Sequence, residues 1–145
     1  MASHGCDGKD WALYPHDADI GVRGCGDDPA EAFANAARAL TSAITPLSNV
    51  AAREAVQLAC SAPDLDVLFV DWLNAVIYEM SIRKMLFAGF EISIEDTALR
   101  ATLRGETVDI DRHAPNVEPK GATFTGLRVA KGPDGRWVAE CIVDV

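Results

Sequence analysis

Two aspartates, Asp17 and Asp19, lie in the stretch His16-Asp17-Ala18-Asp19-Ile20-Gly21-Val22, and a third, Asp144, is the penultimate residue of the apolar run Cys141-Ile142-Val143-Asp144-Val145. A carboxylate at the rim of a buried strand loses hydration, and neighbouring carboxylates repel. Such a group calls for a cation or for protonation of one member. A hard divalent ion is the sharpest chemistry these residues suggest. The sequence stops one residue after Asp144, which sets the α-carboxylate of Val145 beside it. Carboxylate and carbonyl oxygens are the ligands that calcium or magnesium takes. If the strand carrying Asp19 reaches this end, three anionic groups converge. The competing reading is that Asp19 and Asp144 are unrelated, solvated strand ends.

A second polar concentration runs through Gly105-Glu106, Arg112-His113-Ala114-Pro115 and Glu118-Pro119-Lys120-Gly121-Ala122-Thr123. Lys120 could neutralise a carboxylate or contact a phosphate, and the bland alternative is a surface lysine. His16 and His113, each with charged neighbours, could act as acid, base or ligand, although such a histidine more often closes a turn. His4-Gly5-Cys6 could catch zinc but lacks a second ligand pair at zinc-finger spacing. Gly21, Gly24 and Gly26 are not spaced as a dinucleotide fingerprint or a P-loop, and no serine sits in a nucleophile elbow.

The elements that must position these residues are legible from period and punctuation. Trp11 to Pro15 and Ala18 to Gly24 read as strands, and alternation puts Asp17, Asp19 and Arg23 on one face. Asp28-Pro29-Ala30-Glu31 is a helix start, with Asp28 as cap, Pro29 at the first helical position and Glu31 at capping-box spacing. Phe33, Ala36, Ala37, Leu40 and Ile44 form its buried stripe, and Pro46 ends it. Val50 to Cys60 reads as a half-exposed strand. Ser61 to Leu86 carries the main core helix, through Leu65, Leu68, Phe69, Trp72, Leu73, Val76 and Met80. Strands are expected at Phe87 to Ile94, Ala98 to Arg104, Ala122 to Val129 and Trp137 to Asp144, the last two joined at Gly132-Pro133-Asp134-Gly135. This order favours an α+β layered domain with a mostly antiparallel β-sheet and two main α-helices. Residues 1 to 10 are expected to be a disordered leader and 11 to 145 one domain.

Composition sets the remaining bounds. The chain has 145 residues, 49% apolar and 24% charged, the profile of a single globular domain. Its net charge of −9 repels polyphosphate, so no direct nucleic-acid binding is expected, while a basic protein partner is electrostatically favoured. Cys6, Cys25, Cys60 and Cys141 contain no CxxC pair and read as reduced core residues. No apolar segment approaches about 18 residues, so neither export nor membrane insertion is signalled and the expected compartment is cytoplasmic.

Taken in order, these segments resemble the archease family from about Leu13 to Val145. The family's opening His-Thr-Ala-Asp and strand resemble His16 to Val22, and its alanine-rich first helix resembles Asp28 to Leu40. Its Asp-Trp-Leu-Asn segment is similar to Asp71-Trp72-Leu73-Asn74. Its Gly-Glu, Arg-His and Glu-Val-Lys-Ala-Thr pattern resembles Gly105-Glu106, Arg112-His113 and Glu118 to Thr123, and its closing Asp plus one aliphatic residue resembles Asp144-Val145. Asp17 stands where the family has threonine, and Pro119 where it has valine. The resemblance implies an accessory protein, not itself an enzyme, that promotes guanylylation and repeated turnover of an RtcB-type RNA ligase in tRNA splicing or RNA repair. It also implies a divalent ion, typically calcium, at Asp19, Asp144 and Val145, with Lys120 as a nearby functional lysine. His16 and Asp17 would stand around that site. Two other readings of the same carboxylates are a metal-dependent phosphohydrolase and a chaperone-like module with an acidic binding face.

Overall fold

A computed structural model describes residues 5 to 145. The elements run β1 (Trp11–His16), β2 (Asp19–Gly26), α1 (Pro29–Ile44), β3 (Glu54–Ser61), α2 (Leu65–Arg83), β4 (Met85–Glu95), β5 (Ala98–Thr107), α3 (Ile110–His113), β6 (Gly121–Ala122), β7 (Arg128–Lys131) and β8 (Trp137–Asp144). They form an α+β fold with two antiparallel sheets instead of the single sheet expected. One has the order β1-β2-β8-β6 with β7 also paired to β8, and the other has the order β3-β5-β4.

Both long helices start on aspartate caps: Asp28 Oδ1 accepts from Glu31 N at 2.8 Å, and Asp64 Oδ1 from Val67 N at 2.9 Å. Helix α1 packs on β2 and β8 of the first sheet and on β4 of the second. The approach to β2 is so close that a Cβ on Gly24 would lie 2.1 Å from Ala32 O and 2.2 Å from Ala36 N. Helix α2 touches elements of both sheets, which is why it is buried around most of its circumference. At its centre Trp72 is fully buried, donates from Nε1 to Phe33 O at 3.0 Å and meets the Phe90 ring edge-on. In the second sheet Val56, Leu58 and Cys60 face the core opposite Leu103, Ala101 and Leu99, and the intervening residues face solvent.

Three expectations need correction. The strand expected over Ala122 to Val129 is split into β6 and β7 by a loop, and both pieces pair with β8. Cys6 and Cys25 are not reduced thiols but a disulfide, while Cys60 and Cys141 are free. Of the expected disordered leader, Met1 to His4 lie outside the described residues, including the histidine of the His4-Gly5-Cys6 motif. The remainder folds back over β2. Cys6 is buried against Cys25 and Val138, Cys25 N donates to Asp10 O, and Lys9 N donates to Cys6 O. Spacing alone does not reveal this contact, because it is set by the tertiary return of residues 5 to 10.

Candidate functional site

The acidic corner is assembled by strand register. Strands β2 and β8 are antiparallel, with Ile20 opposite Val143, Val22 opposite Cys141 and Arg23 opposite Glu140. One step further along this ladder places Asp19, the first residue of β2, beside Asp144, the last of β8. The main chain closes the corner: Val145 N donates to Asp19 Oδ1 at 3.2 Å. On the other side of β8, Gly121 pairs with Asp144, and Lys120 N donates to Asp144 O at 2.8 Å. On the outer side of β2, His16 pairs with Asp19. His16, Asp19, Asp144 and Gly121, spread over the sequence, thus form one row across the end of the sheet, with Lys120 next in the chain and tied to it by its N–H.

Their environments differ. Asp19 and Val145 are half-buried, whereas Asp144 and Lys120 are exposed. Lys120 makes no ion pair among the described residues. Asp17 stands apart. It occupies the β1–β2 turn at φ 52°, a left-handed conformation that aspartate tolerates, with its side chain 94% exposed. Turn geometry accounts for Asp17 without a ligand role, and His16 Nδ1 lies 4.0 Å from its carboxylate.

Among the described residues no three His, Cys, Asp or Glu side chains are grouped to hold a metal. The oxygens that register gathers here, from Asp19, Asp144 and the Val145 main chain, are all hard donors. That chemistry fits calcium or magnesium and does not fit a soft metal.

The rest of the polar segment forms two fixed hydrogen-bonded clusters, one around Glu106 and one at Ala122. Glu106 is buried and accepts from Ala51 N at 2.8 Å, Arg112 Nη1 and Nη2 at 2.9 Å each, and His113 at 3.0 Å. Hydrogen bonding from Arg112, then from Ala51, outweighs burial and draws the Glu106 carboxyl down to about 2. The same bonding raises Arg112 above its ordinary value. His113 is fully enclosed: Nδ1 accepts from Asp109 N at 2.9 Å, which leaves Nε2 to carry the proton toward Glu106. His113 therefore closes a turn, the second of the roles its sequence allowed. Asn74 on α2 grips β6 with both amide atoms: Oδ1 accepts from Ala122 N at 2.8 Å and Nδ2 donates to Ala122 O at 3.2 Å. Sequence reasoning singled out Asn74 within a motif but assigned it no role. A half-buried amide on a core helix is the signal that was there.

On the outer face of the first sheet Glu140 accepts from Arg23 Nε at 3.1 Å, Arg128 Nη2 at 2.8 Å and Tyr14 Oη at 3.3 Å. Partial burial opposes the charge on Glu140, but the two arginines outweigh it and its pKa lies below the ordinary carboxylate value. Burial first, and Glu140 second, push the Tyr14 hydroxyl well above the usual phenol range.

The model of the archease protein family matches residues 11 to 145. The chain belongs to the archease family. Protein archease of Pyrococcus abyssi is 36% identical over 141 residues, spanning 94% of this chain and 99% of that protein. The protein of the same name from Methanopyrus kandleri is 37% identical over 139 residues, spanning 93% and 99%. The solution structure of protein 1598 from Methanobacterium thermoautotrophicum superimposes with a TM-score of 0.75 at 26% identity, covering 94% of this chain and 99% of that one. A crystal structure of an archease from Thermotoga maritima, described as a possible chaperone, shares the fold at a TM-score of 0.60 and 19% identity, covering 91% and 94%. Among the described residues no helix of this archease-family chain is long and apolar enough to cross a membrane.

Proposed function

We propose that the chain is an accessory protein of an RtcB-type RNA ligase in tRNA splicing or RNA repair, acting in the cytoplasm and raising the rate at which the ligase is guanylylated and turns over. The observation that carries this reading is the row of residues at the sheet end, where register and two main-chain hydrogen bonds gather Asp19, Asp144, Val145 and Lys120. Asp19, Asp144 and a main-chain oxygen of Val145 would hold a divalent ion, most suitably calcium. When bound, that ion would supply a hard positive centre at the docking end. The chain's own contribution is to present fixed carboxylates and one unpaired ammonium to the basic, metal-containing mouth of the ligase. It thereby favours the ligase conformation open to nucleotide attack. In this reading no bond is made or broken on the chain.

Purified ligase with GTP and manganese should form covalent ligase-GMP at least tenfold faster when the chain is present, and Asp144→Asn or Lys120→Ala should remove most of that acceleration. Equal rates with and without the chain would end the proposal. Calorimetric titration of calcium into chelator-treated chain should show one site that Asp19→Asn abolishes. Ligase binding without any change in turnover would favour a chaperone-like role, and phosphate release from RNA ends by the chain alone would favour a phosphohydrolase.

A further inference from the structure

Beside the acidic corner lies a groove of about 830 Å³ between the C-terminal half of α2 and the segment from Val108 to Lys120. This volume falls within the range of recognition pockets. Its walls carry Ile77 and Tyr78 on the helix side and Ile110 and Val117 on the other. Tyr78 is 60% exposed and Ile110 69% exposed, and both line the same depression. A single exposed apolar side chain is ordinary, but two sharing one groove are what an anchor site offers.

The charged residues lining this groove are Lys84, Lys120 and Glu118, so two lysines less one carboxylate leave it at +1 on a strongly acidic molecule. The chain carries −9 overall, yet Lys84 and Lys120 both line the groove and neither makes an ion pair among the described residues. Arg23, Arg53, Arg83, Arg104, Arg112, Arg128 and Arg136 are engaged by carboxylates, while Lys9, Arg38, Arg100 and Lys131, which like Lys84 and Lys120 make no ion pair among the described residues, lie outside the groove. The walls are also fixed in advance. The Glu106–Arg112–His113 network holds the Val108 side, and the Asn74 grip on Ala122 holds the chain just after Lys120. A pre-set groove loses little freedom when it is filled.

We infer that this groove is a second docking site for the same partner protein, taking an apolar segment flanked by carboxylates. The inference rests on the ligase reading above. The groove meets an acidic segment while the sheet end meets a basic one. Two contacts of opposite sign fix the orientation of the complex, which one charged patch cannot do. Lys120 stands at the junction of the two.

The test measures the Kd of fluorescently labelled chain for purified ligase, alongside ligase-GMP formation as a function of chain concentration. Ile110→Glu and Lys84→Glu alter exposed side chains. Each should weaken binding and raise the concentration giving half-maximal acceleration at least tenfold, whereas Asp144→Asn should lower the acceleration reached at saturation. Amide exchange of the unaltered chain in the complex should show new protection at 77 to 84 and 108 to 120. Groove variants with unchanged Kd, or a complex without that protection, would overturn the groove while leaving the ligase reading intact. Binding that the groove variants weaken, with no acceleration by the unaltered chain, would remove the ligase reading and keep the groove. A chain that does not bind the ligase at all overturns both.

Discussion

Replacing Asn74 with alanine tests how the strand beside Lys120 is held. The Asn74 amide makes two hydrogen bonds to the main chain of Ala122, at 2.8 and 3.2 Å, and Ala122 is partly buried. At about 1 kcal/mol net for each bond, Asn74→Ala should destabilise the protein by about 2 kcal/mol. For a chain of this size that lowers the melting temperature by about 4 to 8 °C. The aspartate variant sharpens the argument. Its carboxylate still accepts from Ala122 N but faces Ala122 O with an oxygen where the amide donated, so Asn74→Asp should lose at least as much at pH 7. Below a carboxyl pKa of about 4 the protonated acid can donate again, and the deficit should shrink. Circular dichroism melts provide the global readout, and exchange of the Ala122 amide provides the local one. If Asn74→Ala melts with the parent and the Ala122 amide exchanges at the parent rate, the clamp contributes nothing and its link to Lys120 fails.

Gly24→Ala should cost about 3 kcal/mol in urea unfolding, because a Cβ there meets the α1 backbone at 2.1 Å and neither backbone can yield cheaply. Glu106, drawn down to about 2, binds its proton more readily unfolded than folded. Its contribution to stability is therefore complete above about pH 4.5 and fades as pH falls toward 2. Between those limits the urea midpoint of Glu106→Gln should fall less steeply with acid than that of the parent; parallel curves would refute the assignment. Cys141 is buried and its thiol is pushed up to about 12, first by loss of hydration, so it should be silent toward a thiol reagent until the chain unfolds. Two thiols should titrate in denaturant and all four after reduction. Cys6→Ser should cost about 3 kcal/mol, the loop-closure value for cysteines 19 residues apart.

Where periodicity and chemistry pointed the same way, the sequence was legible. Asp28 caps α1 as its capping pattern predicts, and the core-helix stripe through Leu68, Phe69, Trp72, Leu73, Val76 and Met80 is buried. Within the expected span Ser61 to Leu86 the helix itself runs Leu65–Arg83, because Asp64 caps its start. The region after Ala122 was illegible for a different reason. Thr123 N donates to Ile142 O of β8 and Thr125 O accepts from Ile142 N without extending a strand, and Phe124 remains 63% exposed, so apolar content there does not signal pairing. The disulfide and the Glu106 network share one difficulty. Their members meet through the return of a loop, and nothing in local spacing records where a loop returns. The Asp17 position shows the opposite limit, since an acidic residue beside a candidate site is accounted for by the φ of a turn.

The closeness of Asp19 and Asp144 depends on a register enforced far from either residue. On the outer face of the β2–β8 pair, Cys25 opposes Val138 and Arg23 opposes Glu140, while Gly21 opposes Ile142. Each pair resists slippage for its own reason. Cys25 is tied to Cys6, Arg23 is ion-paired to Glu140, and Gly21 lies beneath the Tyr14 ring, where an added Cβ would fall 2.1 Å from a ring carbon. A shift of one residue would turn Glu140 toward α1 and bring Cys141 and Val143 to the outer face, exchanging a paired charge for a buried lone one. Arg23 lies four residue steps from Asp19 along β2, about 14 Å at strand rise. The polar cluster around Glu140 therefore governs the acidic corner without touching it, by fixing which residue of β8 each residue of β2 must face.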